Sequence, residues 1–575
     1  MAVSSLLALL ICVAAFAGPV LSPVSDPDIW WHLKAGSEFL SGGPFPFQDT
    51  WSCTAPGRDW VNHEWLAEVL LALTRRAAGD EGVVLFCALV LAVTAGLLFR
   101  AARLEGLPPG PTAILVCLGA LAMSDRLTPR PQVFTYLCLA LLLERLAAAR
   151  RGGSPWILPL IQLFWTNLHG PLLGLVFGTL LVVGGGLPET GWKKRIFLVS
   201  LLALASVVHP QGYRPLTDAL PHLLGGGLYR QTIGEWLPIQ HALQRVTPQA
   251  PAAFLIMGLG LLGATAGFLT LKGRRSFGYT VLLLLVAIAP LAANRHRDLI
   301  GVALTPGLAF LFPGVSPRLS WRYSRFFFLA LAGAFVCIPG AGLLHYRAAW
   351  PPRFDLPEEN FPEAGVAFLN RENIGSRMFN AYDYGGYLVD KLRKKRLDFI
   401  DGRYFVFGEE VYLDYLETRD GGERAEALIR RYDLDLLVIR YPQPDGYQAL
   451  ATRVREWPDW ALVFWDDATL IYVRRDRVPP EWLVRKEYRR VDPTLPPAMK
   501  ESSFWTAHFD DLVDEARRAE QDAPGAAKPR LVEALAFEYN ARPQEAARAF
   551  REVLETHPGN RPAREGLKRL EDRLP

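Results

Sequence analysis

Apolar runs separated by short polar stretches occupy the first 346 residues of this 575-residue chain and constrain its fold more than any other feature. The runs lie at residues 4–24, 82–99, 111–123, 133–146, 156–168, 171–187, 196–208, 251–271, 277–293, 299–312 and 326–345. A full membrane crossing takes roughly 17–25 apolar residues, and several runs approach this length. We therefore predict a polytopic α-helical membrane protein with about eleven transmembrane helices. The short runs on either side of NLHG at 167–170 suggest broken or re-entrant helices.

The first run, residues 4–24, is compatible with two interpretations. Its AFA followed by Gly18 imitates the cleavage site of a signal peptide. However, no basic residue precedes the run, and it is long enough to span a membrane. We therefore predict that it is retained as a transmembrane helix.

Basic residues cluster in alternate connections between the apolar runs. The clusters are Arg100 and Arg103; Arg145, Arg150 and Arg151; Lys193, Lys194 and Arg195; Lys272, Arg274 and Arg275; and Arg318, Arg322 and Arg325. The positive-inside rule assigns these connections to the cytoplasm, so the other connections and the C-terminal part face outward. We predict a bacterial inner (cytoplasmic) membrane protein with a periplasmic C-terminal domain. The net charge of +4 is small for the length, so no nucleic-acid partner is expected.

Composition changes after residue 346 and divides the chain into three predicted domains. Residues 1–346 form a transmembrane domain with a long first outer loop at 25–65 and an interfacial loop at 209–250. Residues 351–480 alternate helix-like and strand-like segments, which is typical of a small α/β domain. Residues 500–575 resemble a tetratricopeptide repeat, which predicts a short helical segment that can bind a protein partner.

The first outer loop contains an unusual group of ionisable residues. DPDIWWH at 26–32 follows the first apolar run, and NHEW at 62–65 closes the loop. Ionisable groups near a membrane are costly and commonly functional, which makes candidates of Asp26, Asp28, His32, His63 and Glu64. The alternative is that Asp26 or Asp28 only caps the helix that the spacing of WWHLKAGSEFL predicts.

The other outward loops contain polar residues that suit an anionic substrate. They are Arg126 and Arg130 in SDRLTPRPQ, Asn167 and His169 in TNLHG, His209 and Tyr213 in HPQGY, and Arg295, His296 and Arg297 in NRHRD. Guanidinium groups bind phosphate through paired donors, and a neighbouring carboxylate can remove a proton from a hydroxyl. We predict that the four arginines bind a phosphate group. For any single arginine, the alternative is an interaction with lipid headgroups of the membrane.

These motifs resemble a known superfamily. DPDIWWHLKAG, NHEWL, RPQVFTY, NLHG, HPQGY, YDYGGYL and FIDGR are similar to a broad set of bacterial membrane proteins of the GT-C glycosyltransferase type, some with C-terminal tetratricopeptide repeats. The resemblance covers about residues 1–475 and extends distantly to protein O-mannosyltransferases and aminoarabinose transferases. DPDIWW is fairly specific in this position, whereas HPQGY or RPQ alone is weak.

The resemblance implies an inverting glycosyltransferase that uses a polyprenyl-phosphate sugar donor and a hydroxyl of a glycan, lipid or protein acceptor. Its catalytic base falls on Asp28 or Asp26. The same carboxylates suit a divalent cation, Mg²⁺ or Mn²⁺, although members of the superfamily differ in their need for metal. No second acidic motif is well placed, and Glu64 and Glu235 are the candidates for one. Arg403 in FIDGR either reaches the membrane cavity or only stabilises a turn. The alternative function is a non-catalytic protein of polysaccharide or lipid assembly or transport, which would need a continuous polar path through the spans.

Overall fold

The computed structural model describes residues 2–21, 26–187, 190–224, 227–243, 249–270, 277–311, 361–393, 396–441, 447–494 and 501–570. The chain separates into two compact units. The first comprises Met1–Phe47 and Val61–Pro357, and the second comprises Gln48–Trp60 and Glu358–Pro575. The middle of the predicted first outer loop therefore belongs to the second unit.

The first unit is helical throughout its described part. Its helices are α1 (Ala2–Ala17), α2 (Asp28–Leu40), α3 (Trp65–Leu104), α4 (Pro109–Ala122), α5 (Gln132–Ala149), α6 (Leu158–Leu168), α7 (Pro171–Leu181), α8 (Trp192–Ala205), α9 (Arg214–Leu224), α10 (Tyr229–Thr232), α11 (Gln240–Leu243), α12 (Gln249–Thr270), α13 (Phe277–Ile288) and α14 (Arg297–Leu311). Helix α2 confirms the helix predicted from WWHLKAGSEFL. Short helices α9 to α11 lie within the predicted interfacial loop.

Among the described residues of this unit, three helical segments are long and apolar enough to cross a membrane, namely α3, α5 and Pro251–Leu269 of α12. Helix α3 has 40 residues and leaves helical geometry at Ala78 and Gly79, so the predicted span at 82–99 is its second part. Val3–Ala17, Pro109–Ala122, Pro171–Gly186 and Phe277–Leu291 are apolar but shorter. The number of eleven spans is not confirmed, and the predicted run at 326–345 lies outside the described residues.

Glycines allow several of these helices to approach closely. A Cβ atom on Gly119 of α4 would lie 2.3 Å from the carbonyl oxygen of Gly301 in α14. A Cβ atom on Gly36 of α2 would lie 2.1 Å from the carbonyl oxygen of Glu68 in α3. Small residues are the usual means of close packing between apolar helices. Gly36 therefore sets the distance between the two helices that carry the first-loop motifs.

The second unit contains a four-stranded sheet in the order β1-β2-β4-β3. The strands are β1 (Met378–Asn380), β2 (Leu436–Arg440), β3 (Trp460–Trp465) and β4 (Thr469–Arg474). Strands β1 and β2 are parallel, whereas β4 is antiparallel to β2 and β3. Helices accompany the sheet at Glu363–Glu372, Gly385–Lys391, Tyr404–Arg419, Ala425–Arg431, Tyr447–Glu456 and Pro480–Lys486. The strand residues are almost all buried, so the sheet forms the core of this unit.

Further helices follow the sheet at Ser502–Ala507, Phe509–Asp522, Ala527–Tyr539, Pro543–Thr556 and Arg561–Leu570. Polar contacts fix them to the sheet region. The Asp467 carboxylate accepts from the backbone N–H groups of Ala527 and Lys528 at 2.6 and 2.8 Å. The Glu515 carboxylate accepts from the backbone N–H of Val491 at 2.7 Å. The helical tail is thus attached to the sheet region by hydrogen bonds between carboxylates and backbone N–H groups.

Arg403 holds the inserted segment Gln48–Trp60 within the second unit. Its Cζ atom lies 4.2 Å from the ring centroid of Trp51 and 4.6 Å from that of Trp60. Its Nη2 atom lies 2.9 Å from Asp49 and 2.6 Å from Asp401. The guanidinium thus gains contacts with both aromatic rings and both carboxylates, whereas its buried Nη1 atom has no hydrogen-bond partner among the described residues.

Candidate active site

Connections at one end of the first unit bring most of the predicted site residues together. Arg130 contacts Asp26 at 2.7 Å, across 104 positions in the chain. The indole N–H of Trp65 donates to Asn167 at 2.9 Å, across 102 positions. The backbone N–H of Asn62 donates to a side-chain oxygen of the loop at 211, across 149 positions. Loops that the sequence assigned to one side of the membrane therefore meet in the structure.

Asp26 and Asp28 share one arginine at the start of α2. The Nη1 atom of Arg130 lies 2.7 Å from Asp26 Oδ2, and its Nη2 atom lies 3.1 Å from Asp28 Oδ2. The backbone N–H of Asp28 also donates to Asp26 Oδ1 at 3.1 Å, so Asp26 contributes to the helix start as well. The guanidinium occupies the place between the carboxylates that a cation would take. These residues fit Mg²⁺ or Mn²⁺ only if Arg130 withdraws.

Asp28 changes its protonation state near neutral pH. Burial, together with the charge of Asp26, raises the pKa of Asp28 to about 8, although Arg130 opposes the shift. The side chain is still 24% exposed, so a small reactant can reach it. A carboxyl that titrates in this range has the property required of a general base.

Glu235 connects three arginines from two other connections, Arg126 and Arg130 from one and Arg295 from the other. Its Oε2 atom accepts from Arg126, its Oε1 atom lies 3.2 Å from Arg295, and Arg130 lies 3.7 Å away. Although burial opposes ionisation, these arginines hold the pKa of Glu235 well below its usual range. Arg295 also lies over the Trp236 ring at 4.3 Å from its centroid. Three guanidinium groups thus converge on one carboxylate, an arrangement that suits an anion.

Arg297 has partners of its own and does not join this group. It is the first residue of α14, is 2% exposed, and donates to Asp125 and, at 3.0 Å, to Asn294. A buried arginine with these partners stabilises the loop before α14. Of the four predicted arginines, Arg126, Arg130 and Arg295 therefore lie together at Glu235, and Arg297 lies apart from them.

A second cluster surrounds Glu64 and Glu68 at the start of α3. The Nε2 atoms of His169 and His63 lie 3.2 and 3.7 Å from Glu64 Oε1. The Nδ1 atom of His32 lies 3.6 Å from Glu64 Oε2 and 3.1 Å from Glu68 Oε1. Burial, and after it the neighbouring charged groups, holds the pKa of His32 and of His169 well below the usual range. Both imidazoles are therefore neutral and offer a lone pair.

Four predicted residues lie at the margin of these clusters or away from them. His209 is buried, and burial lowers its pKa to about 4. Burial together with the charge of Arg295 lowers the pKa of His296 to about 3. Tyr213 is 64% exposed. Arg403 lies in the second unit with the partners described above.

Glu235 was predicted only as a candidate acidic residue, because no spacing in its long loop relates it to its arginines. Other residues near the site were not predicted. Glu68 follows Glu64 by four positions and could have been found from helical spacing alone. Gln132 accepts from Arg126 at 2.7 Å and donates to Asp298, which links two of the quoted motifs, RPQ and NRHRD.

Comparison with known proteins supports the fold. No known family profile matches the chain, and no curated protein matches it in sequence. Among solved structures, the chain matches the archaeal oligosaccharyltransferase AglB from Archaeoglobus fulgidus, in complex with an inhibitory peptide and a dolichol-phosphate. The TM-score is 0.51 and the sequence identity is 10%, and the match covers 93% of this chain and 85% of that chain. The Archaeoglobus fulgidus oligosaccharyltransferase in the apo form has a TM-score of 0.44 and 12% identity over 78% and 70%. The chain thus has a mostly helical fold with a small sheet, similar to that of AglB.

Proposed function

We propose that the chain is a membrane glycosyltransferase that transfers a sugar from a polyprenyl-phosphate donor to an acceptor hydroxyl at the outer face of the membrane. The convergence of three arginines on Glu235, beside the carboxyls of Asp26 and Asp28, carries this proposal. The fold supports it, since AglB is an oligosaccharyltransferase whose complex contains a dolichol-phosphate. Because this chain and AglB share only 10% sequence identity, we infer the donor and the acceptor from the site residues and not from the similarity to AglB.

The donor phosphate takes the place of Glu235 between Arg126, Arg130 and Arg295. A sugar-linked lipid phosphate is a diester with one negative charge, so this exchange leaves the charge of the cluster unchanged. When the sugar leaves, the phosphate becomes a monoester and gains a second charge. Three guanidinium groups stabilise that developing charge more than they stabilise the bound donor, and such a difference lowers the barrier.

Asp28 acts as the general base, with Asp26 as the runner-up. The acceptor oxygen attacks C1 of the sugar and gives its proton to the Asp28 carboxylate. The bond between C1 and the phosphate oxygen breaks, and its electron pair remains on the phosphate. One displacement of this kind inverts the configuration at C1. Arg130 contacts both carboxyls and the phosphate-binding cluster, and it therefore couples the two halves of the site.

The remaining parts of the proposal concern location and partners. The basic clusters of the sequence support a bacterial inner membrane location with the second unit on the periplasmic side. A glycan, a lipid or a protein can supply the acceptor hydroxyl. The tetratricopeptide-like tail recruits a protein partner, a role supported by the sequential packing of its helices on the sheet region.

A transfer assay tests this function. Purified protein in lipid nanodiscs is incubated with a panel of polyprenyl-phosphate sugars, and release of polyprenyl phosphate is measured with and without candidate acceptors. We expect release by the wild type, loss of release in Asp28→Asn with donor binding retained, and loss of donor binding in Arg126→Gln. A protein that binds the lipid phosphates but releases no polyprenyl phosphate from any of them would instead be the non-catalytic assembly or transport protein.

A further inference from the structure

His63, Glu64 and His169 bring three metal-ligand atoms close together. One ring nitrogen of each histidine and a carboxylate oxygen of Glu64 lie within 4.8 Å of one another. Glu64 Oε1 lies 3.2 Å from His169 Nε2 and 3.7 Å from His63 Nε2. In a tetrahedral zinc site with bonds of about 2.0–2.1 Å, ligand atoms lie about 3.3 Å apart. Small side-chain movements would therefore complete such a site.

Neighbouring groups hold these ligands in orientation. The Oγ1 atom of Thr135 lies 2.7 Å from Nδ1 of His169, and the indole N–H of Trp165 donates to the same hydroxyl at 3.1 Å. These contacts direct the other ring nitrogen of His169 toward Glu64. On the opposite side, His32 lies 3.6 Å from the second oxygen of Glu64. Outer hydrogen bonds of this kind orient imidazole and carboxylate ligands in metal sites.

We propose that His63, Glu64 and His169 bind a divalent transition-metal ion, for which Zn²⁺ is the best fit. Two imidazoles and one carboxylate are typical of zinc sites that keep a fourth position open, whereas Mg²⁺ and Ca²⁺ prefer oxygen ligands. Within the described part of the chain, the ion partners of the Glu64 carboxylate are all histidines, so its oxygens face ring nitrogens that can bind the same ion. His63 is 36% exposed and gives the ion access from solvent.

This site differs from the Asp26 and Asp28 pair, whose carboxylates face Arg130. The inference does not rest on the proposed glycosyl transfer, because metal binding is measured without a donor. Full-length protein in detergent is treated with EDTA, dialysed, and titrated with Zn²⁺, Mg²⁺ or Ca²⁺ by calorimetry, with the bound metal counted by mass spectrometry. We expect one Zn²⁺ per chain, with binding of Mg²⁺ and Ca²⁺ much weaker.

Matched variants locate the ion. Glu64→Gln and His63→Gln should lose stoichiometric Zn²⁺ binding, and Thr135→Val should weaken it about 10- to 100-fold by releasing a ligand from its orientation. His241→Gln changes an exposed histidine outside the cluster and should bind Zn²⁺ as the wild type does. His63 is partly exposed, so His63→Gln decides the matter if Glu64→Gln fails to fold. Retained binding in His63→Gln, or loss confined to Asp26→Asn, would overturn the proposal.

Discussion

Transfer activity should rise with pH between pH 6 and pH 8, because Asp28 must lose its proton before it can act as a base. Burial beside Asp26 raises the pKa of Asp28 to about 8. A carboxyl with a raised pKa keeps its proton through the neutral range, so the ionised fraction is about 1% at pH 6, about 10% at pH 7 and about half at pH 8. The value of kcat/KM should therefore increase about 50-fold from pH 6 to pH 8.

Two asparagine variants separate the roles of the aspartates. Asp28→Asn removes the base, so it should lower kcat by about 10²- to 10⁴-fold at pH 8 and remove the rise between pH 6 and pH 8. Asp26→Asn removes a like charge and, with it, the carboxylate that shares Arg130 with Asp28. Both effects lower the pKa of Asp28, and a lost repulsion of about 1.4 kcal/mol moves the rising limb by about one pH unit toward acid. Below pH 7 this variant should therefore be more active than the wild type.

The assay measures release of polyprenyl phosphate from a donor in nanodiscs at closely spaced pH values, with donor binding measured in parallel at each pH. Binding has to be followed because the phosphate and its arginines also respond to charge. A wild-type profile without a rise between pH 6 and pH 8, or an Asp28→Asn variant with the wild-type rate at pH 8, would refute the assignment. If the two variants exchange their effects, Asp26 is the base.

Three other changes probe the packing and the charge clusters. Glu235→Gln should lower the melting temperature of the protein without ligand, since three arginines lose their shared carboxylate. Polyprenyl phosphate should raise the melting temperature of this variant more than that of the wild type. Equal increases in melting temperature would contradict the proposed exchange of Glu235 for the donor phosphate. Gly119→Ala should destabilise the protein by about 1–3 kcal/mol in thermal unfolding, because its Cβ would lie 2.3 Å from the Gly301 carbonyl oxygen. Gly96→Ala, with nothing within 4 Å, is its control and should not destabilise the protein. Arg403→Met leaves two buried aspartates without their cation and should destabilise the second unit by about 3–5 kcal/mol, which faster hydrogen exchange at Gln48–Trp60 would report.

The grouping of the polar loops could be predicted because it depends on a simple property of membrane chains. Apolar runs alternate in direction, so every second connection lies at the same end. Asp26 and Arg130 are 104 positions apart, yet both follow an apolar run at that end, and they are in contact. The basic residues on the remaining connections indicated which set of connections faces the cytoplasm and which faces outward. What the sequence could not supply was the pairing within the group.

Which side chains form pairs depends on tertiary contacts, and these contacts follow no regular spacing in the sequence. Glu235 lies in a loop with short helices, and its three arginines come from two other connections. The insertion of Gln48–Trp60 into the second unit likewise rests on Arg403 and not on any local pattern. From the sequence, the two glycines of YDYGGYL predict a tight turn, but Gly385 begins a helix. Gly385 has helical backbone angles, and a Cβ there would lie 2.3 Å from the Ile400 carbonyl oxygen, so it is required for close approach.

Helix α2 connects the two clusters of the candidate site. Asp28 and His32 are four positions apart and therefore lie on the same face of the helix, one toward Arg130 and the other toward Glu68. Gly36, one turn further along, lets α2 lie directly against the backbone of α3. A rigid helix held at such a short distance cannot move without changing both contacts at once. The carboxyl pair and the histidine cluster are thus two neighbouring groups, and the packing of α2 against α3 helps to fix their relative position.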